Sequence, residues 1–266
     1  MLDLEYCELT DVGVVRDHNE DYVGHYLPAT PDEGRTHGWL FIVADGVGGH
    51  DRGEVASETA VESVIEGFRA APRGESLTAS LPRIVQKANV KVYETGKAAS
   101  AGGVNMCTTI VACALRYDRA VIAHVGDSRC YLIRHGIAQQ ITRDHTVVAD
   151  QVRLGILSAE EAAESEKRHL LSRSLGSDLF VNVEIDDHQI HAGDAILLCS
   201  DGLYGSVRPA DIANVVSFNP YSAIAAAKLV ELARERDGGD NISVQLIRIR
   251  DVERMGMYRG RPYKLR

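Results

Sequence analysis

The sequence predicts an α+β fold in which helices pack outside antiparallel sheets. Short apolar or alternating runs rich in Val, Ile, Leu and Tyr occur in groups, and segments with helical periodicity lie between these groups. Several runs are joined by only a few residues, as at Tyr117 to Arg119 and at His135 to Gly136. Because such connections are too short for a helical crossover, neighbouring strands must pair antiparallel. This grouping is typical of α+β proteins.

Five apolar segments carry the strand pattern. Each is bounded by Gly, Asp or Arg, which end a strand or begin a turn. The predicted strands are 38–44, 107–117, 119–125, 129–134 and 195–199.

Helical spacing of apolar residues predicts two long helices, over 53–70 and 80–99. A further helix is predicted to run to about Arg236, because Asn219 can cap it and Pro220 suits the first helical position. Ser158 and Glu161 have the spacing of a capping box for a short helix. Residues 145–170 are polar and helical in propensity, so we expect a flap-like excursion from the core there.

Length and composition predict one folded unit. The chain has 266 residues, of which 45% are hydrophobic, enough for a sizeable core. We expect a single domain over 1–250 and a basic tail without a specific role over 251–266. The sequence shows no heptads and no obvious apolar patch, which favours a monomer.

The charge balance is acidic, with 29 Lys and Arg against 38 Asp and Glu and a net charge of -9. Since there is no basic stripe, we expect no general affinity for nucleic acid or for an anionic membrane. No run approaches the length of a membrane span, and the first eight residues lack the apolar core of a signal peptide. The five cysteines form no C-x-x-C pair and are predicted to be buried free thiols. These features favour the cytoplasm.

Three aspartates indicate a cation site, because each is predicted at the end of an apolar strand and beside glycine: Asp45, Asp201 and Asp240. One Asp-Gly alone would be read as an ordinary turn. Strands bring such carboxylates to one sheet edge, where two of them about 4 Å apart repel by roughly 4 kcal/mol at an effective dielectric near 20. A cluster of this kind must take up protons or bind cations, and oxygen ligands select Mg²⁺ or Mn²⁺.

An ordered set of motifs between about residues 9 and 249 resembles the protein phosphatase 2C family, and its bacterial branch closely. Any one motif is weak, whereas the set in this order and spacing is very specific. The matching strings are DVGVVRDHNEDYVG at 11–24, VADGVGGHDRGEVAS at 43–57, TTIVACAL at 108–115, AHVGDSRCYLIRHG at 123–136, QITRDHTVV at 140–148, LSRSLGSD at 171–178, DAILLCSDGL at 194–203 and GGDNISVQLIRI at 238–249.

The resemblance implies a four-layer α-β-β-α sandwich of two antiparallel sheets flanked by helices, with two to three Mn²⁺ or Mg²⁺ ions at one end. It implies that Asp45 bridges two metals, that the carbonyl of Gly46 binds one, and that Asp201 and Asp240 complete the other. Asp127, with Asp201, is similar to the residue that holds a third and weaker metal.

The same resemblance implies roles for two further side chains. Arg16 is similar to a phosphate clamp, for which a planar guanidinium is suited because it donates two parallel hydrogen bonds. Asp21, with Glu20 nearby, is similar to the residue that holds a metal-bound water. The implied reaction is hydrolysis of phosphoserine or phosphothreonine in proteins by direct attack of a metal-bridging hydroxide. The implied partners are phosphorylated proteins, a Ser/Thr kinase or its substrates among them.

Three positions depart from the family pattern. Cys107 replaces a frequent glycine, Tyr204-Gly205 stands where an aspartate often follows Asp-Gly-Leu, and Val47 replaces the histidine that eukaryotic members carry as a candidate general acid. His50, three residues later, is therefore the candidate acid of this chain. The Gly205 departure weakens the case for third-metal ligands beyond Asp127 and Asp201.

Two functions remain open at this point. The complete set of acidic residues favours an active phosphatase that opposes Ser/Thr kinase signalling. The alternative is a pseudophosphatase, a scaffold that binds phosphorylated partners without turnover. Other phosphatase and nucleotide-binding readings fail. No cysteine is predicted to lie in the catalytic C-x5-R loop of cysteine-dependent phosphatases, since Cys113, which has this spacing to Arg119, falls in a predicted strand. Position 47 is valine where a dehalogenase-type phosphatase needs an aspartate, and the third glycine of G-x-G-x-x-G is absent.

Overall fold

The computed structural model describes residues 2–47, 52–98, 106–253, 255–258 and 261–264. In these ranges the strands are β1 (Asp3–Asp11), β2 (Asp21–Tyr26), β3 (Trp39–Val47), β4 (Cys107–Thr108), β5 (Ile110–Arg116), β6 (Arg119–Val125), β7 (Arg129–Arg134), β8 (Ile137–Gln140), β9 (Glu184–Gln189), β10 (Ala195–Cys199), β11 (Ile242–Asp251), β12 (Met255–Tyr258) and β13 (Arg261–Lys264). The helices are α1 (Pro31–Thr36), α2 (Gly53–Arg69), α3 (Leu77–Ala98), α4 (Val147–Arg153), α5 (Ala159–Glu164), α6 (Asp201–Tyr204), α7 (Pro209–Phe218) and α8 (Ser222–Arg236).

Two antiparallel sheets form the centre of the protein. Sheet A has the order β1-β11-β10-β7-β8, and sheet B has the order β2-β3-β5-β6-β9, with β4 paired to β3. Along β3, Phe41 and Val43 pack between the sheets while Leu40 and Ile42 pack on the outer face, as the two-residue period of a strand requires. Helices α2 and α3 cover the outer face of sheet B, and α7 and α8 cover that of sheet A. The predicted four-layer α+β sandwich is confirmed.

The strand predicted over 107–117 is divided in two at Thr109. Here the backbone N–H of Asp45 donates to the Thr109 hydroxyl at 2.9 Å, and the N–H of Thr109 donates to the Asp45 carbonyl at 2.8 Å. The Thr109 hydroxyl thus accepts the hydrogen bond from the Asp45 N–H that the Thr109 carbonyl would accept in a regular ladder. This interrupts the ladder beside Asp45.

The predicted cap of the last helix was wrong. Asn219 ends α7, where its amide donates to the Val215 carbonyl, and α8 begins at Ser222. The N–H of Ser222 donates at 2.7 Å to the carboxylate of Glu5 on β1. A distant acidic side chain therefore satisfies a helix end that the sequence assigned to a local cap.

Residues 145–170 carry the two short helices α4 and α5. Thr146 caps α4, and Ser158 with Glu161 forms the predicted capping box of α5. A bridge between Thr146 and Leu171 holds the two ends of the excursion together. We call residues 145–170 the flap.

Beyond β11, strands β12 and β13 pair as a two-stranded hairpin where the sequence predicted a loosely held tail. Cys113, Cys130 and Cys199 are buried, whereas Cys7 and Cys107 are half-buried, and all five thiols are free. Of the described helices, none has the length and apolar character needed to cross a bilayer.

Candidate active site

The predicted aspartates converge at one end of the sandwich. Asp21 opens β2 directly opposite Asp45 on β3. Asp127 follows β6, and Asp201 is the first residue of α6, two residues beyond the end of β10. Asp240 precedes β11 instead of ending a strand, which corrects the prediction. It still reaches the same edge because the start of β11 lies beside the end of its antiparallel neighbour β10.

The electrostatics of these carboxyl groups show that they act on one another. Burial is the main cause that raises the pKa of Asp45 well above its usual value, and the charges of Asp21, Asp201, Asp127 and Asp240 raise it further. Burial also raises the pKa of Asp21 and of Asp127 to about 7. A site with this much unbalanced negative charge favours cations.

One carboxyl oxygen of Asp21 is held by a hydrogen bond, whereas the other has no hydrogen-bond partner in the described residues. Its Oδ2 accepts a 2.7 Å hydrogen bond from the Ser200 hydroxyl, which in turn accepts from the N–H of Ser243. Its Oδ1 is buried and has no hydrogen-bond partner among the described residues. A buried acceptor without a partner is costly unless a water or an ion occupies the space beside it.

The space around Gly46 is too small for a side chain. Its N–H donates to the Glu20 carbonyl at 3.1 Å, and a Cβ at this position would come within 2.3 Å of the Gly53 carbonyl oxygen. The backbone of β3 can therefore approach both Glu20 and the start of α2. This close approach is what a backbone ligand at Gly46 requires.

Asn241 holds the loop between β1 and β2. Its Nδ2 donates to the carbonyls of Val12 and His18 at 3.0 and 2.9 Å, and its Oδ1 accepts from the N–H of Glu20 at 2.8 Å. Asn241 was not predicted as a site residue. Its position directly after a candidate ligand and before an apolar strand was a signal that could have identified it.

Arg16 emerges from this loop and pairs with Asp240, with its Nη2 at 2.8 Å from Oδ2. The two side chains are 46% and 38% exposed, so the pair remains open to solvent and can exchange partners. The predicted clamp and a predicted metal ligand therefore lie within reach of each other.

A second group, also missed, surrounds Asp127. Burial raises the pKa of the Asp127 carboxyl group, and the nearby Tyr204 side chain on α6 lowers it in part. The guanidinium of Arg129 stacks 3.5 Å from the centre of the Tyr204 ring and forms a forked ion pair with Asp144. Tyr131 accepts a further hydrogen bond from Arg129. These contacts fix the orientation of Tyr204 toward Asp127.

A cleft of about 1160 Å³ opens beside the aspartates, between the flap and the core. Asp201 and Asp240 line one side, and flap residues of α4, α5 and the segment up to His169 line the other. His169 Nδ1 lies 3.5 Å from Asp201 Oδ2. The candidate acid His50 lies outside the described residues.

His124, His145 and Glu184 are the one His/Cys/Asp/Glu group with metal-ligand spacing in the described ranges. Arginines already neutralise it, since Arg143 lies 2.7 Å from the Glu184 carboxylate and Arg173 lies 3.3 Å from His145 Nε2. The backbone of His145 also pairs with Gly126 and Ser172. We therefore assign this group to anchoring the flap and not to a metal.

Comparisons with known proteins agree with this geometry. The family model of protein phosphatase 2C matches residues 18–234. The serine/threonine phosphatase stp of Listeria innocua is 34% identical over 257 residues, which cover 95% of this chain and 96% of that protein. Protein phosphatase PhpP of Streptococcus pneumoniae is 32% identical over 252 residues, covering 94% and 99%.

Two solved structures are similar throughout. The Mycobacterium tuberculosis serine/threonine phosphatase PstP/Ppp superposes with a TM-score of 0.82 at 33% identity, covering 94% of this chain and 100% of that one. The catalytic domain of PstP in complex with two manganese ions gives a TM-score of 0.80 at 34% identity, with the same coverage. The fold, the clustered aspartates and these matches over nearly the full length lead to one conclusion: the chain belongs to the protein phosphatase 2C family and is a bacterial-type serine/threonine protein phosphatase.

Proposed function

We propose that the aspartate cluster holds two to three Mn²⁺ or Mg²⁺ ions and that the site hydrolyses phosphoserine and phosphothreonine in proteins. Asp45 and the Gly46 carbonyl would hold one ion, Asp45 with Asp201 and Asp240 would hold the second, and Asp127 with Asp201 would hold a weaker third. The Oδ1 atom of Asp21 is the observation that carries this proposal, because it is buried and has no hydrogen-bond donor among the described residues.

The residues fit such ions. All the side-chain donors are carboxylate oxygens, which suit hard divalent cations. Burial first, and then the charges of neighbouring aspartates, raise the pKa of Asp21, Asp45 and Asp127, so a cation beside them would favour their charged forms. A side chain on Gly53 would come within 2.9 Å of the Gly46 carbonyl oxygen, so glycine at position 53 keeps that oxygen uncovered from this direction.

Bound divalent ions supply an activated water and neutralise charge on the phosphoryl group. The side chains of the protein position the water and the phosphate. Asp21, fixed by Ser200, orients a water through its free Oδ1. Arg16 leaves Asp240 and clamps the phosphate through two parallel hydrogen bonds, while Asn241 keeps its loop in place.

Phosphoproteins are therefore the substrates, and we assign the protein to the cytoplasm as a monomer that reverses Ser/Thr kinase signalling. The acidic surface, with a net charge of -9, supports a protein substrate over a nucleic acid.

The test is turnover of a phosphothreonine peptide by the purified protein in EDTA, followed by addition of Mn²⁺ or Mg²⁺. We expect no turnover in EDTA and recovery with metal. A folded sample without turnover under either metal would instead support the scaffold that binds phosphorylated partners.

Replacing Tyr204 with Phe is expected to weaken the third metal selectively. Loss of a polar group that interacts with a ligand carboxylate lowers metal affinity by about tenfold or more, and the Tyr204 side chain lowers the pKa of Asp127, the proposed ligand of the third ion. Calorimetric titration with Mn²⁺ should show one weakened site and two unchanged ones. The matched control is Tyr131→Phe, which removes a hydroxyl from the same Arg129 without touching Asp127. Equal titrations for Tyr204→Phe and the unmodified protein would contradict the assignment.

A further inference from the structure

The cleft beside the aspartates is continuous with the site where the phosphate must lie. Asp201 and Asp240, two proposed metal ligands, are part of its wall. A phosphorylated residue bound at the ions therefore brings the neighbouring residues of its own chain into this cleft. At about 1160 Å³ the cleft has room for several side chains.

The two walls of the cleft carry opposite charge. The core wall presents Asp201, Asp237 and Asp240, and its two arginines, Arg129 and Arg143, are already paired with Asp144 and Glu184. The flap wall presents Arg153 and Arg168, with Val148 and Ala162 as buried apolar surface. Among the described residues that line the cleft, the arginines without a close ion pair therefore lie on the flap side.

Arg168 is the flap cation best placed to select a substrate residue. Its Nε donates to His169 Nε2 at 2.8 Å, and His169 Nδ1 lies 3.5 Å from Asp201 Oδ2. The guanidinium is therefore separated from a proposed metal ligand by a single imidazole ring. This separation suits a residue close in sequence to the phosphorylated one.

The positive charge of Arg168 is also available to pair with a substrate group. Its side chain is exposed and makes no ion pair with any acidic group in the described ranges. By contrast, Arg143 pairs with Glu184 at 2.7 Å and Arg129 pairs with Asp144 at 2.6 Å. Arg153 has only a loose contact of 3.5 Å with Asp150 in its own helix.

We propose that the cleft binds the substrate residues flanking the phosphorylated one, and that Arg168 selects an acidic side chain among them. This inference rests on the proposed phosphatase function and adds a substrate class to it. The ring of His169 positions Arg168 through the 2.8 Å contact with its Nε, which leaves the two terminal amino groups of the guanidinium for the substrate carboxylate.

The experiment uses phosphothreonine peptides that carry either Glu or Gln at one position, scanned over three residues on each side of the phosphothreonine. We expect the unmodified protein to prefer Glu at one or two positions by about fivefold in kcat/KM, the strength of an exposed ion pair. Arg168→Gln should remove the preference, and Arg168→Glu should reverse it. The control Arg83→Gln changes an exposed arginine on α3, paired with Glu75 and outside the cleft, and should keep the preference.

Equal rates for Glu and Gln peptides at every position would overturn the inference and leave the phosphatase function standing. So would a preference that survives Arg168→Glu. If the unmodified protein hydrolyses none of the peptides with Mn²⁺ present, the proposed function itself fails, and the inference fails with it.

Discussion

Replacing Asp45 with Asn is expected to lower kcat/KM by about a thousandfold or more while making the metal-free protein more stable to heat. The loss of activity follows because Asp45 is the one side chain proposed to touch two ions, which together contribute several kcal/mol to the transition state. The gain in stability follows because Asn removes a buried carboxyl group whose pKa is raised by burial and further by four neighbouring aspartates. The isosteric amide keeps the shape of the site.

Two measurements check this prediction. Phosphopeptide hydrolysis in Mn²⁺ reports the loss of activity, and thermal unfolding in EDTA and in Mn²⁺ reports stability. The unmodified protein should gain stability from Mn²⁺, whereas Asp45→Asn should gain little. Asp187→Asn is the control, since Asp187 lies on β9 in an ion pair with Arg119 and should leave both readouts close to the unmodified values. Retained turnover in Asp45→Asn would remove Asp45 from the centre of the site.

The metal-free protein is expected to lose stability as the pH rises from about 4 to about 7. Asp21 and Asp127 both have a pKa of about 7 in the folded protein, against 3.8 as the ordinary value. In this range the folded state holds protons that the unfolded state has released, so rising pH favours unfolding. Three pKa units correspond to about 4 kcal/mol for each carboxyl group.

Urea unfolding in EDTA at intervals from pH 4.5 to 8 measures this slope. Saturating Mn²⁺ should flatten it, because bound cations stabilise the charged carboxylates and protons are no longer needed. Asp21→Asn in EDTA should also flatten it in part, since one of the two titrating groups is gone. A metal-free protein whose stability rises over this range would show that the cluster is already balanced by positive charge within the chain.

Strands and long helices could be predicted because their signals are local. Strands β6, β7 and β10 have the predicted bounds, since each is an apolar run with a charged residue or a glycine at or beside at least one of its ends. The division at Thr109 could not be predicted, because it depends on a hydroxyl that faces Asp45 across the sheet. The start of α8 was missed for the same kind of reason, as Glu5 lies more than 200 residues away.

The residues of the site likewise include some that could be predicted from local sequence signals and some that could not. Asp45, Asp201 and Asp240 could be found from the sequence because each has a glycine beside it or close by and borders a strand. The residues that position Asp21, Asp127 and the β1–β2 loop could not. Ser200, Tyr204 and Asn241 look like ordinary polar residues of turns, and their importance appears only when β10 and β11 lie beside the β1–β2 loop. His145 and Arg129 likewise acquire their roles from the flap that they anchor.

The pairing of β1 with β11 also determines when this enzyme can begin to work during its synthesis. In the part of the chain that the structure describes, β1 is an edge strand of sheet A paired with β11, and the hydroxyls of Thr10 and Ser243 form a hydrogen bond across 233 residues of chain. At ordinary rates of translation, roughly 10 to 50 s separate the emergence of these two residues from the ribosome. Throughout that interval Asp240 and Asn241 are missing, so the nascent chain cannot dephosphorylate anything near the ribosome, and a product truncated before β11 would be inactive.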